Sequence, residues 1–583
     1  MHIIYELNNH ILQSITDSPM QTAIESQETR LTYSDLKQYI THYSYLLQET
    51  CNGLLTGRFI LLYIDSPVKS VIAQLSVLLN DAICIPLDKK TPLAYYALHR
   101  IDNIACIITD DENHGINDFP VALIPKNNKS LPLIELNQEL DCNNEYCHCI
   151  MTSGTTGIPK AVLLKKEAVL NQINEKINLL EMNSETRVCL AMNQSFVASI
   201  WQVLATIIAG GTLIVLDENI KQNPYEIFKK SEENKAAILS VTPSTLKAFL
   251  KTNKGSRKIG LDYLKTLFLT GELLHSDLIR KFRQEYNIEL INAYGQTEGT
   301  DDTFQFIIPA DFDYDSNTII PIGYPIANID FVIVDENNKE VGSGEVGELC
   351  ISGNCLAAGY LGDSKNESTN FKALSDGKMS FFTGDLVSLN EDGSLACYGR
   401  KDNQIKLNGY RIEPEAIEIH CTSIKGISDT LISKIEAETD SFLLLQYVLD
   451  GEAEVNAKSI RDFLVKKIPS YMMPSIIEEI KSIQYSSNGK KIRKRSIGLS
   501  SNDENPKGHV AELVKKILLG ITGKEFASSN FADFLNSIEY VNLIVELEDS
   551  LGIEFEGDVL RMGAFPSLCD LENYITEKLQ NQL

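Results

Sequence analysis

Thr152-Ser153-Gly154-Thr155-Thr156-Gly157-Ile158-Pro159-Lys160 gathers hydroxyls, glycines and one ammonium into nine residues, a combination suited to holding phosphate. Glycines let the backbone approach phosphate oxygens, hydroxyls donate hydrogen bonds, and Lys160 adds a point charge. No Gly-Lys-Ser/Thr closes the run, so it is not a Walker A loop; a surface turn rich in glycine and hydroxyls is the simpler alternative. Near the other end of the chain, Ser537 precedes Ile538, Val541, Ile544, Val545, Leu547 and Leu551, which recur largely at helical spacing. That serine opens an amphipathic helix, where it could act only as an N-cap. The same position favours an anionic group, because unpaired N–H groups and the helix dipole point at it. Cys147-His148-Cys149 is the one tempting metal cluster, but no second pair of ligands stands at zinc-site spacing. The basic run Lys490-Lys491-Ile492-Arg493-Lys494-Arg495 follows Ser487-Asn488-Gly489, and a localisation or nucleic-acid patch is the usual reading of such a run.

The elements that must carry these residues are those of several domains. A chain of 583 residues is long enough for more than one buried core, and 43% hydrophobic with 23% charged residues is ordinary for a globular protein. Residues 1–400 alternate β-branched strands, such as 59–64 and 105–109, with longer helical patterns, which predicts a layered α/β large subdomain. A smaller mobile unit is expected at 401–497, a polar linker at 498–508, and a short helical unit at 509–583. That last unit has five Lys/Arg against thirteen Asp/Glu, an acidic surface suited to docking on positive patches. A net charge of −26 argues against nucleic acid and anionic membranes as partners. No apolar run reaches transmembrane length, and no secretory signal is visible, so twelve scattered cysteines are expected as reduced thiols in a cytoplasmic protein.

Six strings between 152 and 490 fall in the order of one family. The glycine-hydroxyl run, Asn292-Ala293-Tyr294-Gly295-Gln296-Thr297-Glu298, Gly347-Glu348-Leu349 with Ala358-Gly359-Tyr360, Thr383-Gly384-Asp385, Gly399-Arg400-Lys401-Asp402 and Asn488-Gly489-Lys490 resemble the motifs of the adenylate-forming superfamily. Leu31-Thr32-Tyr33-Ser34-Asp35-Leu36 fits its early part, and Asp533-Phe534-Leu535-Asn536-Ser537 resembles the attachment site of a carrier protein. The whole is similar to a nonribosomal peptide synthetase adenylation domain fused to a peptidyl carrier. That resemblance implies a large α/β subdomain, a small α+β subdomain and an all-α four-helix carrier. It implies ATP, Mg²⁺ and 4′-phosphopantetheine as cofactors. Thr152 to Gly157, Lys160, Gly271, Glu272, Asn292, Ala293, Tyr294, Gly295, Thr297, Asp385 and Arg400 would contact the nucleotide, Tyr294 by packing on adenine and Asp385 by bonding the ribose hydroxyls. Glu298 would hold Mg²⁺, Asp402 would be the hinge, Lys490 the catalytic lysine, and Ser537 the arm's attachment point. A carboxylate would attack the α-phosphorus of ATP; the small subdomain would then swing and the arm's thiol would take the acyl group. The expected partners are a small carboxylic acid, a phosphopantetheinyl transferase, and a condensation or tailoring enzyme acting in trans. Departures are Ala161 for glycine, Lys166 for histidine, Gln296 for proline and Asn536 for aspartate.

The same resemblance places a substrate pocket at Val197, Ala198, Trp201, Val241, Phe268, Thr270, Ala293, Asp301 and Asp302. Amino-acid-activating relatives carry an aspartate where Val197 stands, and valine cannot meet an α-ammonium. Two carboxylates beside an apolar pocket need a cation or strong hydrogen bonds at one of them, which suggests a β- or ω-amino acid with Asp302 as the amine's partner. Neighbours on an extended segment point to opposite sides, so one of the pair could face away. Aryl or hydroxy acids are the next expectation, an acyl-CoA or fatty-acyl-AMP ligase the nearest other enzyme, and a non-catalytic scaffold the third class.

Overall fold

The computed structural model describes residues 6–112, 114, 116–125, 144–154, 157–312, 314, 319–361, 370–374, 377–436, 441–450, 455–483, 491 and 493, with ten single positions beyond: 518, 535, 540, 543, 544, 547, 565, 570, 571 and 574. Three sheets build the part before residue 401. The largest has nine strands. Its centre is parallel, in the order Glu289–Gln296, Thr266–Thr270, Ile238–Val241, Arg187–Leu190, Thr212–Val215 and Thr22–Glu25. Antiparallel strands, among them Asp301–Ile307 and Arg30–Thr32, close its edges. A seven-stranded sheet has a parallel run through Tyr146–Thr152, Ile83–Pro86, Phe59–Tyr63, Ile104–Thr109 and Val121–Leu123. The strands expected at 59–64 and 105–109 are therefore present to within a residue. A five-stranded antiparallel sheet includes Gly347–Gly353, Met379–Leu389 and Leu395–Arg400.

Parallel strands covered on both faces should be apolar throughout, and Ile83–Pro86, Thr212–Val215 and Thr266–Thr270 are buried at every position. The helix Ala198–Ile208 is buried from Ser199 to Ile207 because it lies in the core, packed against the helices Glu6–Asp17 and Lys166–Leu179. Thr32 caps the helix Tyr33–Thr50 in a capping box with Asp35, which explains the hydroxyl and carboxylate of that early motif. Beyond residue 401, a hairpin (Ile405–Leu407 with Tyr410–Ile412) precedes a three-stranded sheet of Ile427–Glu436, Ser441–Leu449 and Ile476–Glu479, with the helices Pro414–Thr422 and Ala457–Leu464. Among the described residues no strand pairing joins this unit to the three sheets before it. The fold is thus α/β, with a large N-terminal and a small C-terminal subdomain. In the C-terminal stretch Tyr540, Leu543, Ile544 and Leu547 are helical and fully buried, an i, i+3, i+4, i+7 stripe. Ser537 and Asn536 lie outside the described residues, as does the linker.

Three sequence features find structural uses. His148 sits wholly buried with its Nε2 2.7 Å from Gln74 Nε2, and burial pulls its pKa down to about 3. Its neighbours Cys147 and Cys149 are buried free thiols, as are all ten described cysteines; burial pushes Cys147 and Cys189 up to about 12. No helix among the described residues is long and apolar enough to cross a membrane. Lys166, 1% exposed, opens the helix Lys166–Leu179 and pairs with Asp81, 3% exposed, in the turn after the helix Pro67–Leu79. Breaking a buried pair from one side strands the other charge. Lys166→Met should therefore cost about 3–5 kcal/mol in chemical denaturation, and adding Asp81→Asn should recover most of it; equal losses in both variants would show that the pair is not what holds this corner.

Candidate active site

The strand Tyr146–Thr152 turns at Ser153-Gly154 and returns as Lys160–Lys165. A Cβ at Gly154 would overlap the carbonyl of Ile158, and Gly157 has φ +80°, so both glycines are required by the backbone. Thr155 and Thr156 lie outside the described residues. Lys160 Nζ stands 4.7 Å over the ring of Tyr360. Opposite this loop the strand Glu289–Gln296 delivers Asn292, Ala293, Tyr294 and Gly295 and runs into the short turn Thr297–Gly299. Gly295 admits no side chain, because a Cβ would overlap the carbonyl of Asp301 on the neighbouring strand.

A chain of polar contacts crosses the cleft from there. The Tyr294 hydroxyl donates to Asp385 Oδ2 at 2.6 Å, and Arg400 Nη1 donates to Asp385 Oδ1 at 3.2 Å. Asp385 and Arg400 are cross-strand partners, so sheet register alone brings them together. Arg400 also forks onto Asp402, with both bonds at 2.7 Å. Burial lowers the basicity of Arg400, but Asp402 and Asp385 outweigh it and raise its pKa. Lys406 Nζ lies 5.3 Å over the Tyr294 ring and 3.9 Å from Asp385. Glu348 accepts from Gly384 N at 3.0 Å and pairs with Lys401.

The small subdomain enters the cleft through its hairpin. Asn408 and Gly409 both have positive φ, the two-residue turn that matches strand twist. Gly409 N donates to Glu272 Oε1 at 2.9 Å, and a Cβ on Gly271 would come within 3.3 Å of Gly409 Cα. Gly271 and Glu272 thus seat the hairpin. Tyr410 meets Phe196 edge-on and stacks on Tyr471, with centroids 4.9 and 4.1 Å apart. Arg411 Nη1 lies 2.9 Å from both carboxylate oxygens of Glu298, and Ser153 donates its hydroxyl to the Arg411 carbonyl at 2.7 Å. Burial would push the Glu298 carboxyl up, but Arg411 and the Tyr360 hydroxyl hold it below its ordinary value. Lys490 lies outside the described residues. Its neighbour Lys491 pairs with Glu418 and Asp429, and Arg493 pairs with Glu415 and Glu418. The described members of the basic run therefore spend their charge inside the small subdomain.

A cavity of 1570 Å³ lies between the subdomains, lined by Thr152, Val197, Ala198, Val241, Thr270, Gly295, Thr297, Asp301, Asp385 and Arg400, and by Leu535 from the C-terminal stretch. A small pocket of 10 Å³ adjoins Val197, Trp201, Thr300 and Asp301. Phe268 and Ala293 are buried and appear in neither lining, although Phe268 supports Trp201 at 5.4 Å between ring centroids. The expectation for Asp302 as partner of a substrate amine is corrected. Its Oδ2 is 2.7 Å from Lys176 Nζ, a lysine with no exposed surface that rises between Trp201 and Phe268. Thr270 donates to its other oxygen at 3.3 Å. Asp301 is the carboxylate that faces the cavity. It has φ +86° and is 6% exposed, and its Oδ2 has no partner among the described residues. Burial and the adjacent Asp302 raise its pKa well above the carboxylate range, against the opposing pull of Lys176.

Sequence reasoning missed Lys176, Arg411, Lys406 and Tyr360 as members of the site. Asn408-Gly409 between apolar residues was a usable hairpin signal. Lys176, on a helix whose Val169 and Ile173 are buried, was the second.

Residues 12–361 match the family described as AMP-binding enzyme. Zwittermicin A synthase ZmaJ of Bacillus cereus is 26% identical over 84% of this chain and 94% of its own length. Bacitracin synthase 1 of Bacillus licheniformis is 25% identical over 92% of this chain, which spans only 10% of that protein. The solved structure of holo-PA1221, an NRPS protein containing adenylation and PCP domains bound to a vinylsulfonamide inhibitor, superposes with a TM-score of 0.83 at 22% identity, over 99% of this chain and 98% of that one. Matched over more than half its length, and with the described motif residues converging on one cleft, the chain belongs to the AMP-binding enzymes and is an adenylate-forming ligase.

Proposed function

We propose that the protein activates a small carboxylic acid with ATP as the acyl-adenylate and loads it, as a thioester, onto a carrier at residues 509–583, in nonribosomal peptide or related secondary-metabolite assembly. The observation that carries this reading is the position of Leu535. Two residues before Ser537, it is 4% exposed, lines the cleft with Asp385 and Arg400, and belongs to the apolar cluster of Ile227 and Leu246. A serine two residues away is within about 7 Å along the chain. The likeness to a solved adenylation–carrier pair over 99% of the chain supports the same reading. A pantetheine arm on Ser537 would supply the acceptor thiol. Free CoA as acceptor would leave the C-terminal stretch without a purpose at this cleft.

The chain's own residues divide the work. Asp385 and Arg400 orient the nucleotide, while Tyr294, already tied to Asp385, presents its ring. Glu298 offers hard oxygen ligands in a buried setting, which fits Mg²⁺; that ion, when bound, neutralises charge on the phosphoryl oxygens. Lys490 adds a positive charge where negative charge develops. In the arrangement seen here the hairpin reaches into the cleft and lines its cavity, as suits the acyl-transfer half of the reaction, and Asp402 is the hinge that would let it withdraw.

For the substrate we propose a β- or ω-amino acid, with Asp301 in place of Asp302 as the amine's partner. Val197 leaves an α-ammonium unmet, and Asp301 brings an unpartnered buried oxygen to the cavity. An arriving ammonium would draw that carboxyl back to its ionised form.

Four outcomes follow. Incubation with a broad-specificity phosphopantetheinyl transferase and CoA should add one phosphopantetheinyl group by intact mass, and Ser537→Ala should abolish the gain; modification elsewhere would sink the carrier assignment. Lys490→Ala should lower acid-dependent pyrophosphate exchange by orders of magnitude while sparing thioester transfer from supplied acyl-adenylate; equal loss of both would mean the wrong lysine. Asp301→Asn should cost distal-amine acids about 3–5 kcal/mol, more than a hundredfold in kcat/KM, and leave hydroxy acids nearly unaffected, since the amide keeps the hydrogen bond. Asp302→Asn should instead destabilise the fold for every substrate alike, by stranding Lys176. An unchanged substrate ranking in Asp301→Asn excludes the distal amine.

A further inference from the structure

Three oxygens without a hydrogen-bond partner among the described residues line the small pocket of 10 Å³: Gln172 Oε1, Thr300 Oγ1 and Asp301 Oδ2. Their residues are 2%, 1% and 6% exposed. The other walls are Val169, Val197, Ile200 and Trp201, none of which brings a charge. Val197 and Asp301 also line the large cavity, so the two spaces meet at those side chains.

The fold places each oxygen for a reason. Gln172 and Lys176 stand four residues apart on the helix Lys166–Leu179 and so share a face. Both reach Asp302: Lys176 meets its carboxylate at 2.7 Å, and Gln172 Nε2 donates to its main-chain carbonyl at 2.6 Å. A carbonyl only accepts, so the amide nitrogen is fixed there and Oε1 is left for the pocket. Thr300 and Asp301 hold φ of +56° and +86°. A β-branched residue with positive φ is a true outlier, and such strain persists where the surroundings impose it. Lys176 is bonded to Asp302 and not to Asp301, which leaves Asp301 Oδ2 with the cost of burial and no counter-charge.

A group that satisfies this pocket must be small and must donate several hydrogen bonds. The volume is about that of one water-sized group. A carboxylate donates nothing, and a hydroxyl donates once. A primary ammonium donates three times and carries the charge that Asp301 lacks. Each N-methyl group would remove a donor and add a carbon, and a guanidinium would need room for more than one heavy atom.

We propose that this pocket seats the terminal ammonium of the substrate, with Gln172 Oε1, Thr300 Oγ1 and Asp301 Oδ2 each accepting one of its N–H bonds, so that only an unsubstituted primary amine is taken. The proposal rests on the distal-amine reading above and adds Gln172 and Thr300 as specificity-determining residues.

The test measures acid-dependent pyrophosphate exchange by the full chain. The substrates are β-alanine, 4-aminobutanoic and 5-aminopentanoic acids, their N-methyl and N,N-dimethyl derivatives, and the hydroxy acids of equal length. The preferred primary amine should lose roughly tenfold or more in kcat/KM with each methyl, because a buried acceptor is left unmet. Gln172→Met and Thr300→Ala should each raise its KM roughly tenfold to a hundredfold, the range for one hydrogen bond to a charged group. Their kcat should change little, since the contact is remote from the reacting carboxylate and equal in ground and transition states. Hydroxy acids should be nearly unaffected in both variants. N-methylated acids accepted as well as the primary amine overturn the proposal while leaving the amine's dependence on Asp301 intact. Equal losses for amines and hydroxy acids in both variants also overturn it, as the mark of a site that only holds water. Should Gln172→Met fail to fold through its lost bond to Asp302, Thr300→Ala and the N-methyl series in the wild-type protein decide. A wild-type preference for acids without an amine rejects the distal-amine reading and this proposal with it, whereas exchange with no acid at all rejects the adenylating reading beneath both.

Discussion

A carboxylate withdrawn from water must be given a cation, hydrogen bonds or a proton, and Glu298 is the place where that constraint governs the whole molecule. Its turn is fixed by Gly295, which has no room for a side chain beside Asp301, and the carboxylate that follows is sealed behind Tyr360. Among the described residues no cation of the large subdomain pairs with it at bonding distance; the small subdomain supplies the counter-charge through Arg411. The Asn408-Gly409 turn, the glycine contact at Gly271 and the tyrosine stack all follow from the need to bring one guanidinium to that point. A subdomain interface that joins a buried ion pair, Arg411 with Glu298, to a longer one, Lys406 with Asp385, can be both specific and reversible. Its neutral contacts are geometric.

The acid pocket obeys the same rule with a different solution. Two adjacent aspartates are tolerated because their backbones diverge. Asp302 is turned inward to a lysine that is itself wrapped by two aromatic faces, a setting in which cation–π attraction adds to the ion pair. Asp301 follows Thr300, and both hold positive φ, a conformation that non-glycine residues adopt at a cost and that clusters at functional sites. The strain aims Asp301 at the cavity.

Much of this was legible in the chain. The strands read at 59–64 and 105–109 announced themselves as apolar, β-branched runs, and the glycine-hydroxyl run, Tyr294, Asp385 and Arg400 were identified by type and order. What spacing could not give was the partner of each charge. Asp301 and Asp302 look equivalent in sequence, and only the approach of Lys176, 126 residues away in the chain, separates their roles. Arg411 stood in plain view after an Asn-Gly turn, but its partner is 113 residues distant and belongs to another subdomain. Long-range pairings are set by topology, which local periodicity does not encode.

The burial of the cysteines bears on chemical fidelity. A mixed anhydride of an acid and AMP acylates any thiolate it meets, and thiolates form readily on exposed, electropositive surfaces. Cys147 and Cys149 stand on the strand that runs into the phosphate loop, close in sequence to the reacting centre, yet both are sealed in the sheet and kept protonated by burial. For the ten described cysteines, burial keeps the sulfur away from an activated acyl group, so none of them competes with an incoming thiol.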